Sequence, residues 1–487
     1  MKLNELIKGV QYSEIIGDLH KHINNLSLNS KQKSKNSLFF CLKGTKTKGS
    51  LYVEEAINNG AVAICAEKKI DGLDAKFPQI TQIVVGDVRK AMAKVCANFF
   101  DNPQKKLKIV GVTGTNGKSS TSFLIYDILK MLGKKVGVIG TSGIFFDNVK
   151  IDLNMTTPES INLFDVFSQM VNCGIEYCII EVSAHAIYFD KIHGIDFAAK
   201  VLTNVKSDHL DFFKTQKNYI LTKQKFFESG ENFVINSDDK IGKIIATKYQ
   251  KKSTTFGKNS DFCIKNTKFS LKNTDFDLIF NKKVYHITSN LIGKFNVYNL
   301  ISALTVIYKL GLEFESVLNK LNGLPKIAGR IDCVYLSSDF NVIIDYAHTL
   351  DSLKNLIFSI KEVSQNKNIV VFGCPGERDS IKRFKMGELA GKLCDCVILT
   401  SDNPASENPR RIMFEIEQGV LESKTTYFKI ENRKQAIKKA VEIAKKEKNV
   451  NVLVVGKGVE EYQIVGDKHI PYSDYQVVDD ILKKLNI

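Results

Sequence analysis

The sequence predicts an α/β protein of three domains built on mostly parallel sheets. Three observations carry this. The chain has 487 residues, and at about 100–200 residues per domain it is long enough for two to four cores, most simply three. Its apolar segments are short continuous runs rather than alternating ones, which suits strands buried on both faces of a parallel sheet. These runs alternate with amphipathic helical stretches, the pattern of βαβ units.

Residues 1–103 read as a small α/β unit. LFFCLKG, AVAICAE and ITQIVVGD are its strands, YVEEAINNG is a helix closing on Gly60, and KAMAKVCANFF is a second helix. Asn102-Pro103 then breaks the chain. In residues 104–325, KLKIVGVTGT runs from a strand into a Gly-rich loop. GKSSTSFLIYDILKMLG follows as a helix with Gly133 just past its end, and KKVGVIGT, YCIIEVS and AKVLTNV are buried-type strands. Residues 326–487 repeat the doubly wound pattern. FNVIIDYAHT, KNIVVFGC, DCVILTSDN and VNVLVVGKG are strands, with helices such as ENRKQAIKKAVEIAKKE between them, so this third domain is Rossmann-like.

Composition narrows the class. The chain is 44% hydrophobic and 25% charged, as in ordinary globular proteins. The opening MKLNELIKGV contains Glu5 and lacks the apolar run of a secretion signal. No stretch of about 18 apolar residues occurs, so no spanning helix is expected and the cytoplasm is the expected compartment. None of the ten cysteines forms a CxxC pair. Cys394 and Cys396 sit in the apolar run GKLCDCVILT and read as small buried hydrophobes, not zinc ligands. The net charge of +16 comes from lysines spread along the whole chain. With no Arg-rich arm and no aromatic-interleaved basic motif, it points to an anionic substrate rather than to nucleic acid.

The Gly-rich loop is Gly114-Thr115-Asn116-Gly117-Lys118-Ser119, continuing into Ser120. Val112 stands where the common GxxxxGK[ST] pattern has its first glycine, but the mechanics survive. Successive backbone N–H groups at a helix N-terminus cradle phosphate oxygens. Lys118 reaches the terminal phosphates of ATP, and the Ser119 hydroxyl can ligate Mg²⁺. The loop alone does not separate hydrolysis, transfer and ligation.

TGTNGKSS is followed by MTTPES (155–160), EVSAHA (181–186), TNVKSDHLDF (203–212), GKFNVYN (293–299), GRID (329–332), DYAHTLDSL (345–353), FGCPGERD (372–379), SDNPA (401–405) and GKGVEEYQ (456–463). In this order they resemble the signature segments of the Mur ligase family, and most of all its tripeptide-forming members. The resemblance covers nearly the whole chain. It implies a UDP-sugar-binding first domain, a P-loop ATPase domain and a third domain that receives an amino acid, in a monomer. The implied reaction uses ATP to turn the D-Glu carboxylate of UDP-MurNAc-L-Ala-D-Glu into an acyl phosphate, which the amine of an amino acid then captures.

The resemblance assigns roles that the residues also allow otherwise. Glu181 ends the strand YCIIE and reads as a Mg²⁺ ligand or a cap. His209 reads as a second metal ligand or a packed residue, and Asp208 as either a site residue or a turn cap. Lys223 matches the family's carbamylated lysine, although Lys225 nearby makes the helical register matter. Asn296 and Asn299 match adenine-binding residues, and Asn also favours helix N-caps. Arg330 and Asp345 match residues that grip ATP from the third domain, which then closes over the second and excludes water; His348 is either part of this grip or structural. Ser30, Lys31, Thr156, Thr157, Ser183 and Lys191 match acceptor contacts. Arg378, Asp402, Asn403, Ala405, Gly456 and Glu460 match the amino-acid pocket. There are departures from the pattern. Phe189-Asp190-Lys191 replaces Gln-x-Arg, Phe213 and Val459 each replace a His, and Lys48-Gly49-Ser50 replaces Asp-Gly-His. Lysine keeps a charge but not a bidentate fork.

The SDNPA segment bears on which amino acid is added. Members using meso-diaminopimelate resemble DNPR, where Arg clamps the distal carboxylate. Ala405 cannot, so L-lysine is the expectation. Meso-diaminopimelate stays open, because Arg410 and Arg411 are near in sequence. Three other readings compete: a folylpolyglutamate synthase, a nucleic-acid-stimulated ATPase, and a non-catalytic Mur-like binding protein.

Overall fold

The computed structural model describes residues 1–44, 47–153, 155–325 and 328–485. The chain divides into two compact units, Met1–Cys263 with Tyr298–Val317, and Ile264–Val297 with Leu318–Ile487.

The first unit holds two sheets. The N-terminal one runs Tyr12–Ile16, Thr81–Val85, Ala61–Ala66, Ser37–Phe40, Asn25–Ser27, and only its first pair is antiparallel. The helix Val88–Phe99 buries Ala91, Met92, Val95 and Cys96, one face at helical spacing. Asp87 caps it by accepting from the Arg89 and Lys90 amides. At the expected break, Asn102 turns left-handed at φ 49° and Pro103 opens a 3₁₀ turn. One apolar core nevertheless runs from Leu3 to Ile245. The division near residue 103 therefore separates two sheets that share a core.

The second sheet places the site. Its parallel part runs Ser253–Gly257, Phe233–Asn236, Phe197–Leu202, Lys108–Thr113, Tyr177–Glu181, Val136–Gly140. Two antiparallel strands, Gly143–Phe146 and Val149–Ile151, complete that edge. Lys108–Thr113 lies between its neighbours with Val112 opposite both Val201 and Glu181. The segments following Thr113, Glu181 and Leu202 therefore leave the same carboxyl edge, where open α/β sheets bind ligands.

The second unit carries a sheet ordered Asp332–Leu336, Phe340–Asp345, Val450–Val455, Lys367–Phe372, Cys396–Leu399, Thr426–Lys429. All but the first pair are parallel. Its apolar strands feed two cores. Ile343, Val370, Phe372, Val397 and Leu453 face the helices Leu350–Val363, Ile381–Leu393 and Pro409–Val420. Val342, Ile369, Val371, Ile398 and Val452 face Arg433–Glu447 and Asp474–Lys484. A hairpin, Thr274–Phe280 with Lys283–Ser289, turns through Asn281 and Lys282 at φ 48° and 65°, the left-handed pair of a type I′ turn. The sequence-based expectation has no element there. All ten cysteines are free, Cys394 and Cys396 among the buried ones. Among the described residues no helix is long and apolar enough to cross a membrane.

Arg433 and Asp474 join the two helices of the second face at 2.8 and 2.7 Å with both side chains fully buried. Removing one member of a buried ion pair strands the other, at a cost of about 3–5 kcal/mol. Asp474→Ala therefore lowers the denaturant midpoint by an amount corresponding to that range; an unchanged midpoint shows the pair to be dispensable.

Candidate active site

The phosphate loop is held by its neighbours. Gly114 and Gly117 have φ of 154° and 84°. A Cβ on either would lie 1.9 Å from Thr203 Oγ1 or 2.6 Å from Asn299 Oδ1, so only glycine fits. The Asn116 amide donates to Asn204 Oδ1 at 3.0 Å, and its carbonyl accepts from Thr203 Oγ1 at 2.6 Å and Asn204 Nδ2 at 2.9 Å. Lys118 Nζ donates to the Gly114 and Thr115 carbonyls, both at 2.9 Å. Thr121 Oγ1 donates to Asn299 at 3.3 Å, which brings Asn299 to the loop. Ser120 is buried behind it.

Glu181 is fully buried beside this loop. It accepts from Ser119 Oγ at 3.0 Å and from the Thr141 amide and hydroxyl at 3.1 and 3.2 Å. Burial pushes its carboxyl above the ordinary value, against the pull of Lys118, Ser119 and Thr141. Thr157 Oγ1 donates to the Glu181 carbonyl at 2.8 Å and to Ser183 Oγ at 3.3 Å. Thr156 and Thr141 share a hydroxyl contact of 3.0 Å. Thr157 and Ser183 thus hold the Glu181 backbone, while Thr156 reaches the carboxylate only through Thr141. Thr141 is a neighbour that its own sequence context does not single out.

The structure separates Lys223 from Lys225. Residues two apart on a helix point about 200° apart, and the helix Gln216–Lys225 turns Lys223 inward at 1% exposure. Lys223 Nζ lies 3.1 Å from the Gly114 carbonyl and 3.3 Å from Thr113 Oγ1. It also stands over the Tyr219 ring, whose hydroxyl is 3.0 Å from Thr115 Oγ1. Burial, then the Lys118 charge, hold its ammonium well below the usual lysine range, with Asp208 opposing. Lys225 instead pairs with Asp190 at the surface.

Four metal ligands are expected, Ser119, Glu181, His209 and Lys223. Ser119 and Glu181 touch, but His209, turned left-handed at φ 53°, puts Nε2 3.4 Å from Asp208 and packs its ring 5.0 Å from His185. Among the described residues no three His, Cys, Asp or Glu side chains converge on a metal position. Ser119 and Glu181 are hard oxygen donors at the mouth of a phosphate loop, a set that suits Mg²⁺ completed by phosphate oxygens and water.

Acceptor-side departures have partners. Glu159 takes Lys191 at 3.0 Å and Arg89 at 2.8 Å, and the Arg89 guanidinium stacks 4.7 Å over Phe189. A cavity of about 200 Å³ opens beside Lys43, Arg89 and Phe189. Phe213 is buried against His185 and Tyr219. The Ser30 hydroxyl donates to Glu55 at 2.5 Å, and Lys31 is exposed.

In the second unit, Asp345 is buried and accepts from the Ile331 and Ala347 amides, both at 2.7 Å. Burial raises its carboxyl and Arg330, stacked on Tyr346, opposes this. The His348 ring contacts the Tyr346 carbonyl at 2.9 Å. Asn296 donates to the Ile292 carbonyl at 2.8 Å and is 1% exposed. Gly456 donates its amide to the Asp345 carbonyl at 3.0 Å, so a residue expected at the nucleotide and one expected at the amino acid are tied by backbone. Asp402 is buried and Arg378 exposed. Lys457, fully buried, reaches Asn403 Oδ1 and Glu460 at 2.8 Å each and Asp402 at 4.0 Å. Asn403 Nδ2 donates to Glu460 at 2.9 Å. One buried ammonium thus serves two carboxylates, Glu460 closely and Asp402 at the limit of an ion pair, and among the described residues Asp402 Oδ2 has no hydrogen-bond partner. Ala405 stands left-handed at φ 50°. Arg410 pairs with Glu431 and Arg411 with Glu415.

A phosphate loop flanked by a buried carboxylate and a buried lysine on a parallel sheet defines an enzyme that activates a substrate with a nucleoside triphosphate. The profile of the Mur ligase middle domain matches residues 112–307, that of the Mur ligase glutamate ligase domain residues 329–458, and that of the Mur ligase family catalytic domain residues 22–100. The chain belongs to the Mur ligase family, and it is an ATP-dependent, ADP-forming amino-acid ligase of the three-domain α/β type. It is 40% identical over 489 residues, covering 100% of both chains, to UDP-N-acetylmuramoyl-L-alanyl-D-glutamate–2,6-diaminopimelate ligase 1 of Clostridium acetobutylicum. It is 40% identical over 486 residues, covering 99% of both, to the similarly named ligase of Caldanaerobacter subterraneus subsp. tengcongensis. A solved structure of a ligase of that name superposes with a TM-score of 0.71 at 27% identity, covering 100% of this chain and 99% of that one. These relatives carry diaminopimelate in their names, not lysine. The L-lysine expectation drawn from Ala405 is corrected on that ground.

Proposed function

We propose that this chain joins 2,6-diaminopimelate to the D-Glu carboxylate of UDP-MurNAc-L-Ala-D-Glu, as a cytoplasmic monomer with acceptor, nucleotide and amino-acid domains at 1–103, 104–325 and 326–487. The observation that carries the chemistry is the pairing of Ser119 with Glu181 on the Gly-rich loop, with Lys223 buried against the Thr113 hydroxyl and Gly114 carbonyl where that loop begins. The D-Glu carboxylate oxygen attacks the γ-phosphorus and ADP leaves. The amine then attacks the acyl carbon, phosphate leaves and a proton is released. Amides of Gly114 to Ser119 and the Lys118 ammonium hold the phosphates and offset their charge. Mg²⁺ held by Ser119 and Glu181 would add a Lewis acid on phosphate oxygens. As a carbamate, Lys223 would add oxygen donors beside Thr113 and Gly114. Asn299, Arg330 and Asp345 serve the nucleotide, and Thr156, Ser183, Lys191 and Ser30 the acceptor. Arg378, Asn403 and Glu460 serve the amino acid.

The test is ADP release from the purified enzyme with UDP-MurNAc-L-Ala-D-Glu, ATP and a panel of diamino acids. A buried site that lacks a partner for one substrate group discriminates by about 100-fold or more, so kcat/KM for meso-diaminopimelate exceeds that for L-lysine by at least this factor. Faster turnover of lysine, or silence with every amino acid, refutes the proposal.

A further inference from the structure

We infer that Arg383 is a positioning residue for the amino-acid substrate, its buried guanidinium bolting together the two loops that carry that substrate's contacts. This rests on the assignment of Arg378, Asp402 and Asn403 to the amino acid. One loop follows the strand Lys367–Phe372 and bears Arg378; the other follows Cys396–Leu399 and bears Asp402, Asn403 and Ala405. The two strands are parallel neighbours, so the loops leave the sheet side by side.

Arg383 lies on the helix Ile381–Leu393 and is 1% exposed. Its Nη1 and Nη2 each donate to one oxygen of Glu407 at 2.9 Å, a bidentate fork. Nη1 also donates to Glu415 at 2.8 Å, and Nη2 to the Pro375 carbonyl at 3.3 Å. One side chain thereby grips the second loop through Glu407 and the first through Pro375. The Glu407 carboxylate passes the link on. The Glu377 amide donates to it at 2.5 Å, and Glu377 in turn accepts from Ser406 Oγ at 2.5 Å. The Gly376 amide donates to the Asn403 carbonyl at 2.9 Å.

Each loop also holds one non-glycine residue in the left-handed region, Glu377 at φ 55° and Ala405 at φ 50°. Such conformations persist only where the surroundings over-determine them. The forked contact supplies that constraint between the residues assigned to the substrate: Arg378 is next to Glu377, and Asn403 is bonded to Gly376. A lysine at 383 keeps the charge but cannot span both Glu407 oxygens and Pro375.

The test is steady-state ADP release by the full-length enzyme, varying ATP, UDP-MurNAc-L-Ala-D-Glu and diaminopimelate in turn. Misplacing a substrate-holding group by about 1 Å costs about 100-fold. Arg383→Lys and Glu407→Gln therefore lower kcat/KM for diaminopimelate by about that factor, chiefly through KM. The KM values for ATP and acceptor stay within about fivefold, and so do all three in Glu415→Gln, which leaves the Glu407 fork intact. Arg378→Ala is the control on the assignment. If it raises the diaminopimelate KM while Arg383→Lys and Glu407→Gln do not, the bolt is refuted. If Arg378→Ala is also silent, the assignment fails and the inference with it. A parallel rise in all three KM values, or a loss of kcat with every KM unchanged, overturns the positioning role.

Discussion

Lys223→Ala lowers turnover by about 100- to 1,000-fold, the range for losing one preorganised charge-stabilising group, and short carboxylic acids restore part of it. The buried position makes this a chemical prediction. A free lysine at pH 7 is neutral in about one molecule in 2,500, whereas burial and the Lys118 charge raise the neutral share for Lys223. Under the proposed role the neutral amine would attack CO₂, forming an N–C bond and releasing one proton, to leave a carbamate. Protonation of the amine opposes this, so activity falls as pH drops through the depressed lysine pKa. Removing CO₂ from the buffer lowers activity and bicarbonate restores it. Alanine leaves room beside Gly114 and Thr113 for a small carboxylate, whose two oxygens mimic the carbamate end. ADP release measures each step. Full activity in Lys223→Ala refutes the role, and a loss that bicarbonate and acids never touch refutes the carbamate.

Glu181→Gln separates activity from stability. The amide matches the carboxylate in shape and can still accept from Thr141, so the turn after the strand Val136–Gly140 stays in place. What goes is the negative charge beside Ser119. Turnover falls by about 100- to 1,000-fold, and raising Mg²⁺ does not restore it. Replacing a desolvated charge by a neutral group of equal size is close to neutral for stability, or favourable. The melting temperature therefore holds or rises. The pH slope follows. Because burial raises the wild-type carboxyl pKa, the folded state binds more protons there, and stability falls as pH rises through that pKa. Glu181→Gln lacks this slope. Retained turnover removes Glu181 from the chemistry, and a large drop in melting temperature shows that its role is structural.

How far the sequence reaches depends on how local each feature is. The phosphate loop was legible because strand, glycines, Lys118 and helix are contiguous, and their backbone geometry needs little else. The doubly wound third domain was legible from its apolar runs. The hairpin Thr274–Phe280 with Lys283–Ser289 was within reach too, since its alternation and the Asn281-Lys282 turn are both local signals. Asn204, Thr141, Lys457 and Arg383 were not. Asn204 and Lys457 lie within signature segments, but no role falls to them there; each of the four acts on a partner far along the chain, which its own neighbourhood does not name.

The sequence by itself therefore determined the α/β class, the order of the domains, the nucleotide loop and the family, because those rest on short-range geometry and on motifs in a fixed order. Tertiary structure alone decided which of Lys223 and Lys225 meets the loop, that Lys457 bonds Asn403 and Glu460 beside Asp402, and that Arg89 comes to Glu159 beside Phe189. The reason is physical. Charge and burial at a side chain depend on everything packed around it, and a linear pattern does not carry the distances that set them.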